Sequence, residues 1–347
     1  MKKSSLLPLL SLLVIAVIAI YAIGPGLDQR RYSNDVIEEL TYFPSGRMLQ
    51  VADLGFGSLL ADAMWLRGIQ YYGEHRRTDR EYPLAEHIFS TITNLDPGFI
   101  GAYRFGALVL AEDAGTPAGA IDLLRKGIRS NPESWEIPFD LGFIYFMNLG
   151  DYRRAAHYFR MASRYEGAPD IAKRFTAFAY RRAGRTDIAE ELWEGICRSS
   201  QNKLMRESAE LALKDIALEK TAAALGEEVK RYVLSFGRSP QDLAELVRAG
   251  LVSEIPHDPF GGSYFLDPST GCVLSTTSVM REGAAKKTYL ERRIRQFADR
   301  NGRLPQSLDE LKTQGFVVEI PRVAGARVGY DPATGRVTYE SLWKEAR

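Results

Sequence analysis

The chain has 347 residues, of which 45% are hydrophobic and 26% charged, enough for more than one packed domain. Lysine and arginine number 45 against 44 acids, a net charge of +1 without long single-sign runs, which argues against a nucleic-acid binder. Cys197 and Cys272 are the only cysteines, too few and too far apart for a disulfide framework or a metal cluster.

In chain order, Met1-Lys2-Lys3 precedes an uncharged apolar run, Leu6 to Ile23. As a helix it would be about 27 Å long, close to the thickness of a bilayer core. Residues 1–27 are expected to be an uncleaved membrane anchor, a cleaved signal peptide being the alternative, with Lys2 and Lys3 favouring a cytoplasmic N-terminus. The expected location is therefore the inner membrane of a bacterial envelope, single-pass, with the bulk of the chain on the extracytoplasmic side. Residues 28–56 read as a linker with an entry helix, where Asp53, and Asp62 just beyond, stand in apolar surroundings. Helix capping or pairing with Arg47 or Arg67 explains such acids more simply than catalysis does.

From 57 to 202, small and bulky apolar residues recur at helical spacing with a period near 34. Ala155, Phe159 and Ala162 lie at i, i+4 and i+7, and the same face recurs as Ala85, Phe89 and Ile92, as Ala120, Leu124 and Gly127, and as Ala189, Trp193 and Ile196. Each such helix comes after another, as in YRFGALVLAEDAG and FDLGFIYFMNLG. With Leu141, Gly142 and Tyr145 ahead of Ala155, and with Asp96-Pro97 and Asn131-Pro132 closing two units, the pattern resembles the tetratricopeptide repeat (TPR) family. That resemblance implies an α-solenoid of four helix pairs with atypical terminal units. Residues 203–236 are expected to form a capping helix pair.

Near the C-terminus the sequence repeats itself. GRSPQDLAELVRAGLVSEIP, from Gly237, returns 65 residues later as GRLPQSLDELKTQGFVVEIP, from Gly302, with 12 of 20 positions identical and no gap. Each copy reads as helix, short helix, hairpin: prolines 240 and 305 suit a first helical turn, glycines 250 and 315 a helix end, and Asp267 to Gly271 and Asp331 to Gly335 the hairpin turns. The two units are assigned to 237–283 and 284–347, and their hairpins are expected to join in one small sheet. Pro256, Asp258, Pro259, Phe260, Gly261 and Tyr264 give the first copy a resemblance to the soluble part of the major pseudopilin of type II secretion systems. The second copy departs from it, with Arg322-Val323-Ala324-Gly325 at the turn. The fold class expected is mainly α: a transmembrane helix, a TPR-like solenoid, and a small α+β module of two duplicated units.

Catalytic signatures are scarce. No phosphate-binding glycine loop, His-Glu-x-x-His, paired Cys-x-x-Cys or Gly-x-Ser-x-Gly occurs, and His75, His87, His157 and His257 are scattered. Ser200 and Lys203 match a short hydrolase pattern, but a serine at a helix start is an ordinary cap. The reading is not an enzyme, with no cofactor, no metal and no nucleic-acid partner. In the TPR family the first helix of each unit lines a groove, which implies partner-binding roles for Arg104, Leu108, Phe139, Phe143, Phe146, Arg174, Phe178, Arg181 and Arg182. The phenylalanines have an alternative use, packing between units. The expected function is a membrane-anchored scaffold that holds a protein or peptide segment in this groove, in pilus, secretion or surface-assembly machinery; an envelope hydrolase and a chaperone-like holder of exported chains are the alternatives.

Overall fold

The computed structural model describes residues 55–267 and 270–341. They fall into two compact units, one ending at Ala183 and the other starting at Gly184.

The first unit contains α1 (Gly57–Arg77), α2 (Ala85–Leu95), α3 (Ile100–Leu108), α4 (Pro117–Ser130), α5 (Glu136–Phe143), α6 (Tyr152–Ala162) and α7 (Asp170–Arg182). Each helix packs on its sequence neighbour, and alternate helices also touch, α2 with α4 and α3 with α5. This is the two-layer stacking of a helical repeat array. The small residue that opens the inner face of each second helix explains the closeness: Ala85, Phe89 and Ile92, their counterparts on α4, and Ala155, Phe159 and Ala162 are all buried. The facing helices supply glycine where the bulky side chains press. A Cβ on Gly106 would lie 2.5 Å from Phe89 Cγ, and one on Gly142 would lie 2.7 Å from Phe159 Cδ1. Any larger residue there would force the helices apart.

The helical path of this unit does not end with α3 and α5 but widens into five-residue π turns, Val109–Asp113 and Ile144–Asn148, at equivalent repeat positions. The backbone N–H of Ala114 donates to the Val109 carbonyl at 2.8 Å, and that of Leu149 to Ile144 at 3.3 Å. A π turn shifts the side chains beyond it around the helix, so apolar spacing alone does not reveal it.

The second unit begins with α8 (Thr186–Ser199), which packs on α9 (Lys203–Phe236). The repeat face of α8 is again covered, with Ala189, Trp193 and Ile196 all buried. Instead of a capping pair and then a separate helix, α9 is one continuous helix of 34 residues. No proline interrupts it, and it runs until Gly237, whose φ of +68° ends the helix in a left-handed residue. Then come α10 (Ala244–Arg248), a hairpin of β1 (Tyr264–Leu266) and β2 (Val273–Ser275), α11 (Thr276–Asn301), α12 (Leu308–Thr313), and a hairpin of β3 (Ala326–Asp331) and β4 (Arg336–Ser341).

The two copies are the same device. Gly302 ends α11 at φ +67°, as Gly237 ends α9. Leu246 and Leu311 are both fully buried, and the carbonyl of each accepts from the N–H five residues on, Leu251 or Phe316. Thr270 donates to Asp267 at 2.7 Å in one hairpin turn, and Thr334 to Asp331 at 2.6 Å in the other. The hairpins, however, remain separate antiparallel two-stranded sheets. Each lies on its own long helix, β2 on α9 and β4 on α11, which covers an apolar face, while the edges that a joint sheet was expected to cover are not paired between the hairpins.

The transmembrane helix of the expected fold class and the single-pass inner-membrane location are both corrected by the helices themselves. Among the described residues no helix is long and apolar enough to cross a membrane. The two longest, α9 and α11, carry charged residues along their whole length, which suits a half-solvated helix and opposes bilayer insertion. The run from Leu6 to Ile23 lies outside the described residues, as do Arg47 and Asp53.

Candidate interaction surface

The residues expected to line a groove lie on α3, α5 and α7, but they divide by burial. Arg104 on α3 is exposed, and its Nε donates to Asp140 Oδ2 on α5 at 2.6 Å. Burial pushes the Asp140 carboxyl up while the Arg104 pair pulls it down, and that same pair raises the guanidinium. The pair therefore joins two neighbouring first helices at a half-covered site. One turn beyond it, Leu108 is 56% exposed.

Phe139 is buried, and Phe143 and Phe146 are half-buried. The rings of Phe139, Phe143, Phe159 and Phe175 form one cluster, with centroids 5.1 Å apart for 139 and 143, 4.6 Å for 143 and 175, and 5.4 Å for 159 and 175. Phe139 and Phe143 thus pack α5 against α6 and α7, the alternative use expected for them. Phe146 lies at the margin, 5.2 Å from the Tyr152 ring.

On α7, Arg174, Phe178 and Arg181 are half-buried and Arg182 is exposed. Arg182 donates to the Tyr152 hydroxyl at 2.7 Å and lies over that ring at 4.8 Å. Arg174 sits 5.5 Å from the Phe175 ring, and its buried Nε has no hydrogen-bond partner. Such an orphaned donor is costly unless something else meets it.

Sequence reasoning missed Met147 and Leu149, which are 67% and 46% exposed at the end of the second π turn. Asn148, between them, donates to Glu112 Oε1 in the first π turn at 3.0 Å, and the Tyr72 hydroxyl of α1 donates to Asp113 at 3.0 Å. Polar side chains therefore tie three repeats together along one edge. The available signal was the run IYFMNLG, which holds more consecutive apolar residues than one helix face can bury.

The catalytic candidates do not converge. Ser200 is buried and accepts from the Asn202 N–H at 3.2 Å, a local turn role, whereas Lys203 is exposed and pairs with Glu207 at 3.7 Å. Asp62 is exposed on α1. Lys126 is half-buried, and burial lowers its ammonium to about 8. Its Nζ donates to Thr93 Oγ1 at 2.8 Å and Asn94 Oδ1 at 2.6 Å, so it fastens α4 to the end of α2. No group of three or more His, Cys, Asp or Glu side chains fit to hold a metal ion occurs among the described residues.

No protein-family model matches this chain, and no curated protein does. The chain is similar to solved structures of MamA. One shares 18% identity over 55% of this chain and 98% of its own length, with a TM-score of 0.33. A second, MamA AMB-1, shares 22% identity over 39% of this chain and 75% of its own, with a TM-score of 0.30. At scores this low the repeat assignment stands on the packing of the chain's own helices. The pseudopilin likeness of the first C-terminal copy is not shown by these comparisons.

Proposed function

We propose that this chain is a protein-interaction scaffold and not an enzyme, and that the exposed face of its first helices takes up a segment of a partner protein. Arg104, Leu108, Phe146, Arg174, Phe178, Arg181 and Arg182 make the contacts, with Phe139 and Phe143 as the packed floor beneath. The observation that carries this reading is an apolar side chain left in solvent beside fixed charge: Leu108 is 56% exposed one turn from the Arg104–Asp140 pair. Apolar anchors ringed by oriented arginines are what interface cores are made of.

The duplicated second unit gives the scaffold a second docking module. A setting in pilus, secretion or surface-assembly machinery rests on the turn residues Pro256 to Tyr264 alone. The test is site-specific photo-crosslinking in cells from position 108, with the exposed position 207 as control. A partner captured from 108 and not from 207 is the expected result. Equal capture from both positions, or none from either, would overturn the proposal.

A further inference from the structure

The chain is nearly neutral, yet one helix face is strongly basic. Along α6, the buried face consists of Ala155, Ala156, Phe159 and Ala162. On the opposite side Arg153, His157 and Arg160 recur at i, i+4 and i+7, Arg164 follows in the turn just after the helix, and all four are exposed. At helical rise the helical part of this stripe, Arg153 to Arg160, is about 10 Å long. The four residues line a cleft of about 580 Å³ whose other wall includes Tyr165 and, from α7, Tyr180. Arg160 donates to the Tyr180 hydroxyl at 3.2 Å, which fixes its guanidinium at the wall.

Two other cations on these helices have carboxylate partners: Arg154 pairs with Asp151 at 3.4 Å and Lys173 with Asp170 at 3.1 Å. Among the described residues no carboxylate pairs with Arg153, Arg160 or Arg164, and no acidic side chain lines the cleft. Three guanidiniums gathered in a concave site concentrate positive potential, and their planar forks suit carboxylates. The cleft is not uniformly polar, because Met161 and the two tyrosine rings add an apolar wall.

We infer that this cleft is a second docking site, separate from the first-helix face, for an acidic peptide segment of a partner protein that carries at least two carboxylates and an apolar side chain. An extended peptide rises about 3.3 Å per residue, so acidic residues at alternate positions stand about 7 Å apart, near the spacing of one turn along the arginine stripe. A nucleic-acid strand fits less well, since the basic track is confined to one short helix and the turn after it, in a chain whose net charge is +1.

The test is fluorescence anisotropy on the full chain with a short labelled peptide of alternating glutamate and leucine. We expect saturable binding that weakens as salt rises, and about tenfold weaker binding by the double variant Arg153→Ser/Arg164→Ser, whose thermal unfolding should match the wild type. A lysine-leucine peptide should not bind. Leu108→Asp should leave the affinity unchanged, so this site and the first-helix surface can fail independently. Equal binding by the double variant, loss of binding in Leu108→Asp, or stronger competition by a single-stranded oligonucleotide than by unlabelled acidic peptide would each overturn the inference.

Discussion

The two C-terminal copies share their core and differ at their edge, and the difference shows which residues define the unit. Both keep the left-handed helix end, the buried leucine pair, and a surface ion pair, Arg238 with Glu245 and Arg303 with Glu310. Both arginines also lie over an aromatic ring of their long helix, Tyr232 or Phe297, at 5.4 Å. The turn before the hairpin has diverged. In the first copy Asp258 is buried, accepts from the Phe260 N–H at 2.7 Å and receives the Ser275 hydroxyl, while Arg281 stacks on Phe260 at 3.8 Å. In the second copy Val323 is buried at the corresponding place, and Gly325 approaches Phe265 and Leu274 of the first hairpin. One turn is thus held by its own polar network, the other by its neighbour.

The shared core gives the largest expected effect. Leu246→Ala and Leu311→Ala, each at a fully buried position, should each cost about 2–5 kcal/mol, seen as lost hydrogen-exchange protection in the copy concerned. Similar losses would confirm two equivalent cores, and a loss confined to one copy would break the equivalence. Gly325→Ala comes next. Its φ is +72°, and an added Cβ would lie 2.9 Å from Phe265 Cζ, so strain and overpacking together should cost about 2–4 kcal/mol and disturb the first hairpin as well. Gly261→Ala should cost only about 1–2 kcal/mol, because at φ +85° it meets no atom within 4 Å.

The smallest effect concerns acid. Glu245 is held below the usual carboxylate range by the Tyr232 hydroxyl and then by Arg238; Glu310 is held there by Arg303 and by the Gln306 N–H. A carboxyl lowered by folding contributes stability above its unfolded pKa, and that stability is lost as pH falls through the folded value. Glu245→Gln and Glu310→Gln should therefore each flatten the acid limb of the stability profile. Tyr232→Phe makes the first copy resemble the second at this point. It should raise the Glu245 pKa, as read from its side-chain NMR titration, and leave Glu310 unchanged.

Much of this was legible in the sequence, for reasons that particular residues make plain. The faces centred on Phe89, Leu124, Phe159 and Trp193, each opened by an alanine, are buried as their spacing requires, because a period near 34 is itself a packing constraint. Proline, glycine and aspartate marked both hairpin turns. The π turns were hidden, since hydrophobic spacing assumes a regular helix until it ends. The fusion of the expected capping pair into α9 was hidden too: no residue between 203 and 236 demands a break, and none forbids one. At the proposed surface, Phe139, Phe143 and Phe146 share a helix side, but spacing cannot tell a groove from a seam between helices. The cluster of rings with Phe159 and Phe175 decides that only in three dimensions.

The unbroken length of α9 makes it a ruler for the second unit. Its N-terminal part, as far as the Lys220–Glu190 pair, carries α8, and its C-terminal part carries the first hairpin through Leu225 and Val229. Inserting a single residue between Lys220 and Leu225 would turn one part about 100° relative to the other, so that either the hairpin or α8 would lose its seat. Insertions and deletions in that stretch should therefore be tolerated only when they restore the phase of the rod.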